Sequence, residues 1–157
     1  MFKIGDKVIY GTSGVCEICD VAPLDRDGKD YYKLQPYFGS EVIFTPIDTK
    51  VFMRAVMTKD EAEELIRQIP HITGDDGEDK NFLAMRERYQ NSIMSHDSED
   101  LIQLIKSIYE KGTKKKLGMV DERYMKRAED LLYGELAVAL DIARDDVIEY
   151  IKKVLSE

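Results

Sequence analysis

The chain has 157 residues, with 23 Lys+Arg against 31 Asp+Glu, a net charge of −8 and 43% hydrophobic residues. That apolar content can bury a core, but no apolar run approaches the ~18–20 residues that would span a bilayer. Met1-Phe2-Lys3-Ile4 opens a strand pattern rather than a signal peptide, so a cytoplasmic protein is expected.

Up to about Phe52 the chain reads as short strands rich in β-branched and aromatic residues: Lys7-Val8-Ile9-Tyr10, Gly14 to Val21, Tyr31-Tyr32-Lys33-Leu34 and Val42-Ile43-Phe44-Thr45. Gly11-Thr12-Ser13-Gly14, Asp25-Arg26-Asp27-Gly28 and Phe38-Gly39-Ser40 supply the turns. Four or five strands in so few residues suit a small, strongly bent barrel. From Thr58 the period becomes helical. Thr58-Lys59-Asp60-Glu61 is a capping box, and its helix is expected to stop near Pro70. His71 to Lys80 reads as a polar loop or hinge, and Asn81 to Met94 as a second helix. Asp97 or Ser98 caps a third helix, with Leu101, Leu104, Ile105 and Ile108 on one face. Asp121 to about Leu140 repeats the pattern, and Asp145 or Asp146 starts a last helix through Val147, Ile151 and Leu155. The expected fold is α+β in two domains. A Tudor/SH3-like β barrel occupies residues 1–55, and an all-α five-helix bundle occupies 56–157.

Motifs for catalysis are missing. Cys16-Glu17-Ile18-Cys19 has redox or zinc spacing, but His71 and His96 are isolated, and two cysteines do not complete a tetrahedral site. Within a strand, residues three apart also face opposite sides. Structural cysteines are the simpler reading. The acidic stretches at Asp25–Asp30 and Asp75–Asp79 lack the ligand spacing of a calcium loop. No phosphate loop, dinucleotide fingerprint or nucleophile elbow occurs, so neither cofactor, metal nor small-molecule substrate is expected.

Charge is unevenly placed. Residues 103–127 carry 8 basic and 3 acidic groups, inside a protein that is otherwise acidic. Lys111, Lys114, Lys115 and Lys116 are read as a loop between two helices, with Arg123, Lys126 and Arg127 in the first turns of the helix that follows. Arg123 and Arg127 share a face at i, i+4. Such a cluster suits phosphate contact and offers nothing for base readout. A solvated basic loop explains it equally well. Arg86, in the second helix, could extend the surface.

Ile4-Gly5-Asp6-Lys7-Val8-Ile9-Tyr10, then Gly14-Val15, then Pro46 at a strand end, resembles the start of CarD/CdnL proteins. The same stretch resembles the RNA-polymerase-interacting domain of transcription-repair coupling factors. Asp97 to Tyr109, Asp121-Glu122-Arg123-Tyr124 and Ala128 to Ala137 fit the CarD helical domain in order and spacing. The resemblance implies a non-enzymatic transcription regulator. Its first domain would pair a strand edge, here Val42, Ile43, Phe44 and Thr45, with the β subunit of RNA polymerase. Its second would meet promoter DNA, through phosphate backbone and minor groove, at the upstream edge of the open bubble. Three positions depart from the family pattern. Phe82 stands where a Trp often wedges into the minor groove, and it could equally be a core residue. Phe44 and Glu122 stand where Arg or Lys is common. An adaptor whose acidic helical domain recruits a protein instead of DNA is the alternative.

Overall fold

Five strands form one antiparallel sheet in the order β4-β3-β2-β1-β5. They are β1 (Lys7–Tyr10), β2 (Gly14–Pro23), β3 (Asp30–Pro36), β4 (Ile43–Pro46) and β5 (Met53–Ala55). The computed structural model describes residues 1–23, 28–74 and 79–156. They divide into two units, Met1–Met57 and Thr58–Glu157. The turn expected at Asp25–Asp27 and the acidic stretch Asp75–Glu78 lie outside the described residues.

The sheet is rolled. Tyr10 on β1 and Thr45 on β4 are three ladder spacings apart, roughly 14 Å if the sheet were flat. Two side chains of that size cannot span such a gap, yet the Tyr10 hydroxyl donates to Thr45 Oγ1 at 3.1 Å. Curling also lets Ile43 of β4 and Met53 of β5 pack on the same core of Val8, Cys16, Ile18, Tyr32 and Leu34. No ladder joins β4 to β5 among the described residues, so hydrogen bonding does not close the barrel expected from the sequence.

A bulge in β2 makes the bend. The register against β3 slips between Ile18 and Asp20, leaving Cys19 as the extra residue. Strict alternation would have turned Asp20 inward after Cys16 and Ile18. The inserted residue instead keeps Asp20 in water and brings Val21 onto the core. Cys16, before the slip, is buried as alternation requires, and Cys19 is exposed. Gly14, at φ +84°, begins β2 in a conformation that a side chain would strain.

The second unit contains α1 (Lys59–Gln68), α2 (Phe82–Met94), α3 (Ser98–Lys114), α4 (Met119–Leu140) and α5 (Val147–Leu155). The capping box forms as expected: the Glu61 N–H donates to Thr58 Oγ1 at 3.1 Å, and the Thr58 N–H to Glu61 Oε1 at 3.0 Å. Asn81 and Asp97 cap α2 and α3 with their side chains. Apolar faces meet at Ile66, Tyr89, Ile93, Leu104, Ile108, Leu136 and Val147, all at most 2% exposed. Tyr150 of α5 donates to Glu63 of α1 at 2.9 Å.

Two connections differ from the sequence reading. The stretch after α1 is not a free hinge up to Gly74. A 3₁₀ turn covers Ile69–His71, and the Lys106 ammonium of α3 donates to the carbonyls of Ile69 and Ile72. Gly74 lies so close to α3 that a Cβ there would sit 2.9 Å from the Ser107 nitrogen. The lysine-rich segment, for its part, is mostly helix. α3 runs to Lys114, so Lys111 and Lys114 belong to it and only Lys115 and Lys116 enter the connection. Gly112 does not end α3. Leu117 folds back against it, with Cδ1 3.3 Å from where a Cβ would be.

Candidate functional site

β4 lies at one margin of the sheet. Its register against β3 pairs Ile43 with Leu34, Phe44 with Lys33, Thr45 with Tyr32 and Pro46 with Tyr31. The Ile47 N–H donates to the Asp30 carbonyl at 3.2 Å, which marks that pair as a hydrogen-bonded one. Antiparallel pairs alternate. Thr45 and Ile43 therefore also bond to β3, while Phe44 and Pro46 turn their backbone groups to the outer side. Pro46 has no N–H to offer there, which leaves the Phe44 N–H as the donor of the strand's outward edge.

The side chains alternate in the same way. Thr45 is 2% exposed and held by Tyr10, and Ile43 packs on the core. Phe44 is 50% exposed, and Val42, just before the strand, is exposed as well. Of the four residues marked in the sequence, Val42 and Phe44 present side chains outward. Ile43 and Thr45 hold the strand in place.

In the helical unit the candidates separate by environment. Lys114, Lys115, Lys116, Arg123, Lys126, Arg127 and Arg86 are exposed. Lys126 pairs with Asp130 at 3.3 Å, in water on both sides. Lys111 is different, because its ammonium lies 2.8 Å from Asp121 Oδ1 and 3.1 Å from Met85 Sδ, three-quarters buried. Its charge is committed to the protein interior. Phe82 occupies the first turn of α2 and is 58% exposed, with Leu83 exposed beside it. It is not a core residue of the bundle.

Asp121 is the group that sequence reasoning missed; it served there only as a helix start. It is 3% exposed, and its two oxygens gather three donors. The Tyr89 hydroxyl donates to Oδ1 at 2.6 Å, Lys111 to the same oxygen, and the Gly118 N–H to Oδ2 at 3.0 Å. Burial alone would raise this carboxyl. The bonds from Lys111, Tyr89 and Gly118, together with the Lys111 charge, outweigh burial and hold it below the usual carboxylate value. Burial and the bond to Asp121 push the Tyr89 phenol well above its own usual value. The Tyr124 ring meets that of Tyr89 at a tilt of 58°, centroids 5.5 Å apart, and its hydroxyl donates to Gln90 at 2.9 Å. Arg88 lies 5.1 Å over the Tyr89 ring and grips Asp79 with two bonds of 2.9 Å, so Asp79 is not a solvated loop residue. The hydrogen bond from Arg88 lowers Asp79 in turn. The spacing Gly118-x-x-Asp121 was the available signal, an acid three residues into a helix with no other cap.

This network joins α2, α3 and the start of α4 around the turn that carries Lys115 and Lys116. It ties the end of α3 to the start of α4, the two elements that carry most of the exposed cations. What the arrangement can do chemically is bind: an extended strand at β4, and an anionic surface beside the α3–α4 turn. Among the described residues no group of three or more His, Cys, Asp or Glu could hold a metal ion. Among the described residues no helix is long and apolar enough to cross a membrane. Two family models match the chain. The CarD-like/TRCF RID domain matches residues 2–57, and the CarD C-terminal domain matches residues 72–152.

Proposed function

Because the chain belongs to the CarD family of RNA-polymerase-interacting transcription regulators, we propose that β4 docks on the polymerase β subunit while the helical unit reaches promoter DNA. The outward backbone edge of β4 at Phe44 carries this reading. The outward N–H and carbonyl of Phe44 are a template for a partner strand, with backbone bonds giving affinity and alternate side chains giving specificity, while the Pro46 carbonyl accepts from the Thr49 N–H at 3.0 Å and ends the edge. The rolled sheet is the geometry a Tudor-like domain needs to hold such an edge clear of its own core. On this reading residues 1–55 serve the polymerase and 56–157 the promoter, the protein works in the cytoplasm, and it acts without catalysis.

On the DNA side, Lys114, Lys115, Lys116, Arg123, Lys126 and Arg127 would contact phosphates, with Arg86 extending the surface. Phe82 and Leu83, exposed at the start of α2, would reach the upstream edge of the bubble, where an apolar side chain can wedge between base steps. Lys111 supports this surface from inside, through Asp121, rather than touching the backbone itself.

Phe44→Pro tests the strand-edge contact. The Phe44 N–H faces away from β3, so proline removes the outward donor without breaking the ladder. Phe44→Ala keeps the N–H and serves as the control. Polymerase binding should fall at least about tenfold for the proline variant beyond any loss in the alanine one. Equal affinity of the two variants would sink the edge-pairing reading. Footprinting of a polymerase–promoter complex separates DNA contact from an adaptor role, because an adaptor leaves the upstream footprint unchanged.

A further inference from the structure

Tyr37, Phe38, Val42, Val51 and Phe52 are each between 39% and 44% exposed, and all lie in the connections on either side of β4 in the N-terminal unit. The fold gathers them. The Tyr37 N–H donates to the Val15 carbonyl at 3.1 Å, and the Gly11 N–H donates to the Phe52 carbonyl at 2.7 Å. Gly11 and Val15 flank the β1–β2 turn, whose strands pair Tyr10 with Gly14. A Cβ on Gly11 would sit 3.0 Å from Val51 Cγ1. Tyr37 and Phe38, their rings 6.4 Å apart, therefore lie on one side of that turn, and Val51 and Phe52 on the other. Val42 continues the set to the start of β4, because Ile43 pairs with Leu34 two residues before Pro36. Phe44 then carries exposed apolar surface along the strand.

We infer that this apolar rim is a second contact region for RNA polymerase, receiving apolar side chains from the chain that flanks the strand paired with β4. The inference rests on the β4 reading and adds the chemistry of the partner: its flank is apolar and uncharged. Size argues for an extension rather than a separate interface. Three aromatic rings and two valines at this exposure leave about 350 Å² in water. A stable dimer needs roughly 800 Å² from each copy. A second copy of this chain would also bring −8 against −8. As a continuation of the β4 edge, the same area completes an interface of ordinary size.

The test uses the full chain and purified polymerase core. Phe38→Ser and Phe52→Ser change exposed side chains, and each should weaken binding about tenfold, with little change in the salt dependence. Hydroxyl-radical oxidation of the unmodified protein gives a readout independent of folding in the variants. Tyr37, Phe38 and Phe52 should become protected when polymerase is added. Affinity within about twofold of the parent, or unchanged oxidation, overturns the inference. So does a loss confined to self-association in sedimentation. Normal binding by Phe44→Pro overturns the edge reading itself, whereas its loss beside normal binding by both serine variants overturns the rim alone.

Discussion

An aspartate at 3% exposure would ordinarily cost several kcal/mol to keep ionised, and Asp121 stays ionised because three donors converge on it. Removing its charge leaves the Lys111 ammonium in a site that is three-quarters buried without a counterion. Asp121→Asn should therefore destabilise the protein by about 3 kcal/mol at pH 7, read by urea denaturation. The pH dependence has a defined sign. An unfolded aspartate binds its proton near pH ~3.9, and the folded carboxyl binds it lower. The stabilisation is then fully present above about pH 4 and is lost as pH falls through the folded value. The gap between parent and Asp121→Asn should narrow on acidification; a gap that stays constant down to pH ~3 contradicts the assignment. This residue was not legible in the sequence, because burial of an acid depends on which donors the other helices bring, and Tyr89 is 32 positions away. Cys16 and Cys19 were legible, since opposite faces follow from strand geometry alone. Burial, then the neighbouring Cys19, raises the Cys16 thiol to about 11, as befits a core residue.

Elements marked by local chemistry were readable, and those shaped by packing were not. The Thr58 capping box and the Asn81 and Asp97 starts follow from side chains bonding to nearby backbone, and the stop near Pro70 from a residue with no N–H to continue the helix. The end of α3 does not. A run of lysines reads as a loop, yet α3 continues to Lys114, and Leu117 packs back against Gly112 in the space a side chain would need. The β2 bulge was hidden for a similar reason: a slip of one residue changes no composition, only the face that Asp20 meets. The docked stretch Ile69–Gly74 gives an element-scale prediction. Gly74→Ala places a methyl 2.9 Å from the Ser107 nitrogen and 3.1 Å from the Lys106 carbonyl carbon, both backbone atoms that cannot swing aside. The segment must then move off α3 and loosen the Lys106 bonds to Ile69 and Ile72. A loss of about 1–3 kcal/mol in urea denaturation is expected, with faster amide exchange at Ile72; unchanged values would mean the segment is not docked.

At the scale of the molecule, the distribution of charge matters more than its sum. The chain carries −8 overall, yet residues 103–127 carry +5, and the Asp121 network orients that stretch from within. With Lys111 committed to Asp121, the exposed cations are Lys114, Lys115, Lys116, Arg123, Lys126 and Arg127. If about four of them neutralise phosphates, the DNA-dependent part of binding should follow salt with a log–log slope near −3.6. Polymerase contact through backbone bonds and apolar surface should depend on salt far less. The two contacts can then be separated in one protein. Reversing Lys114, Lys115 and Lys116 to Glu should flatten the salt slope and abolish the effect on promoter complexes. Binding to polymerase alone should stay within about twofold, because those side chains are exposed and belong to the helical unit. If the reversed protein still stabilises open complexes at physiological salt, the cations are a solvated surface. The acidic remainder of the helical unit would then be the face to examine for a protein partner.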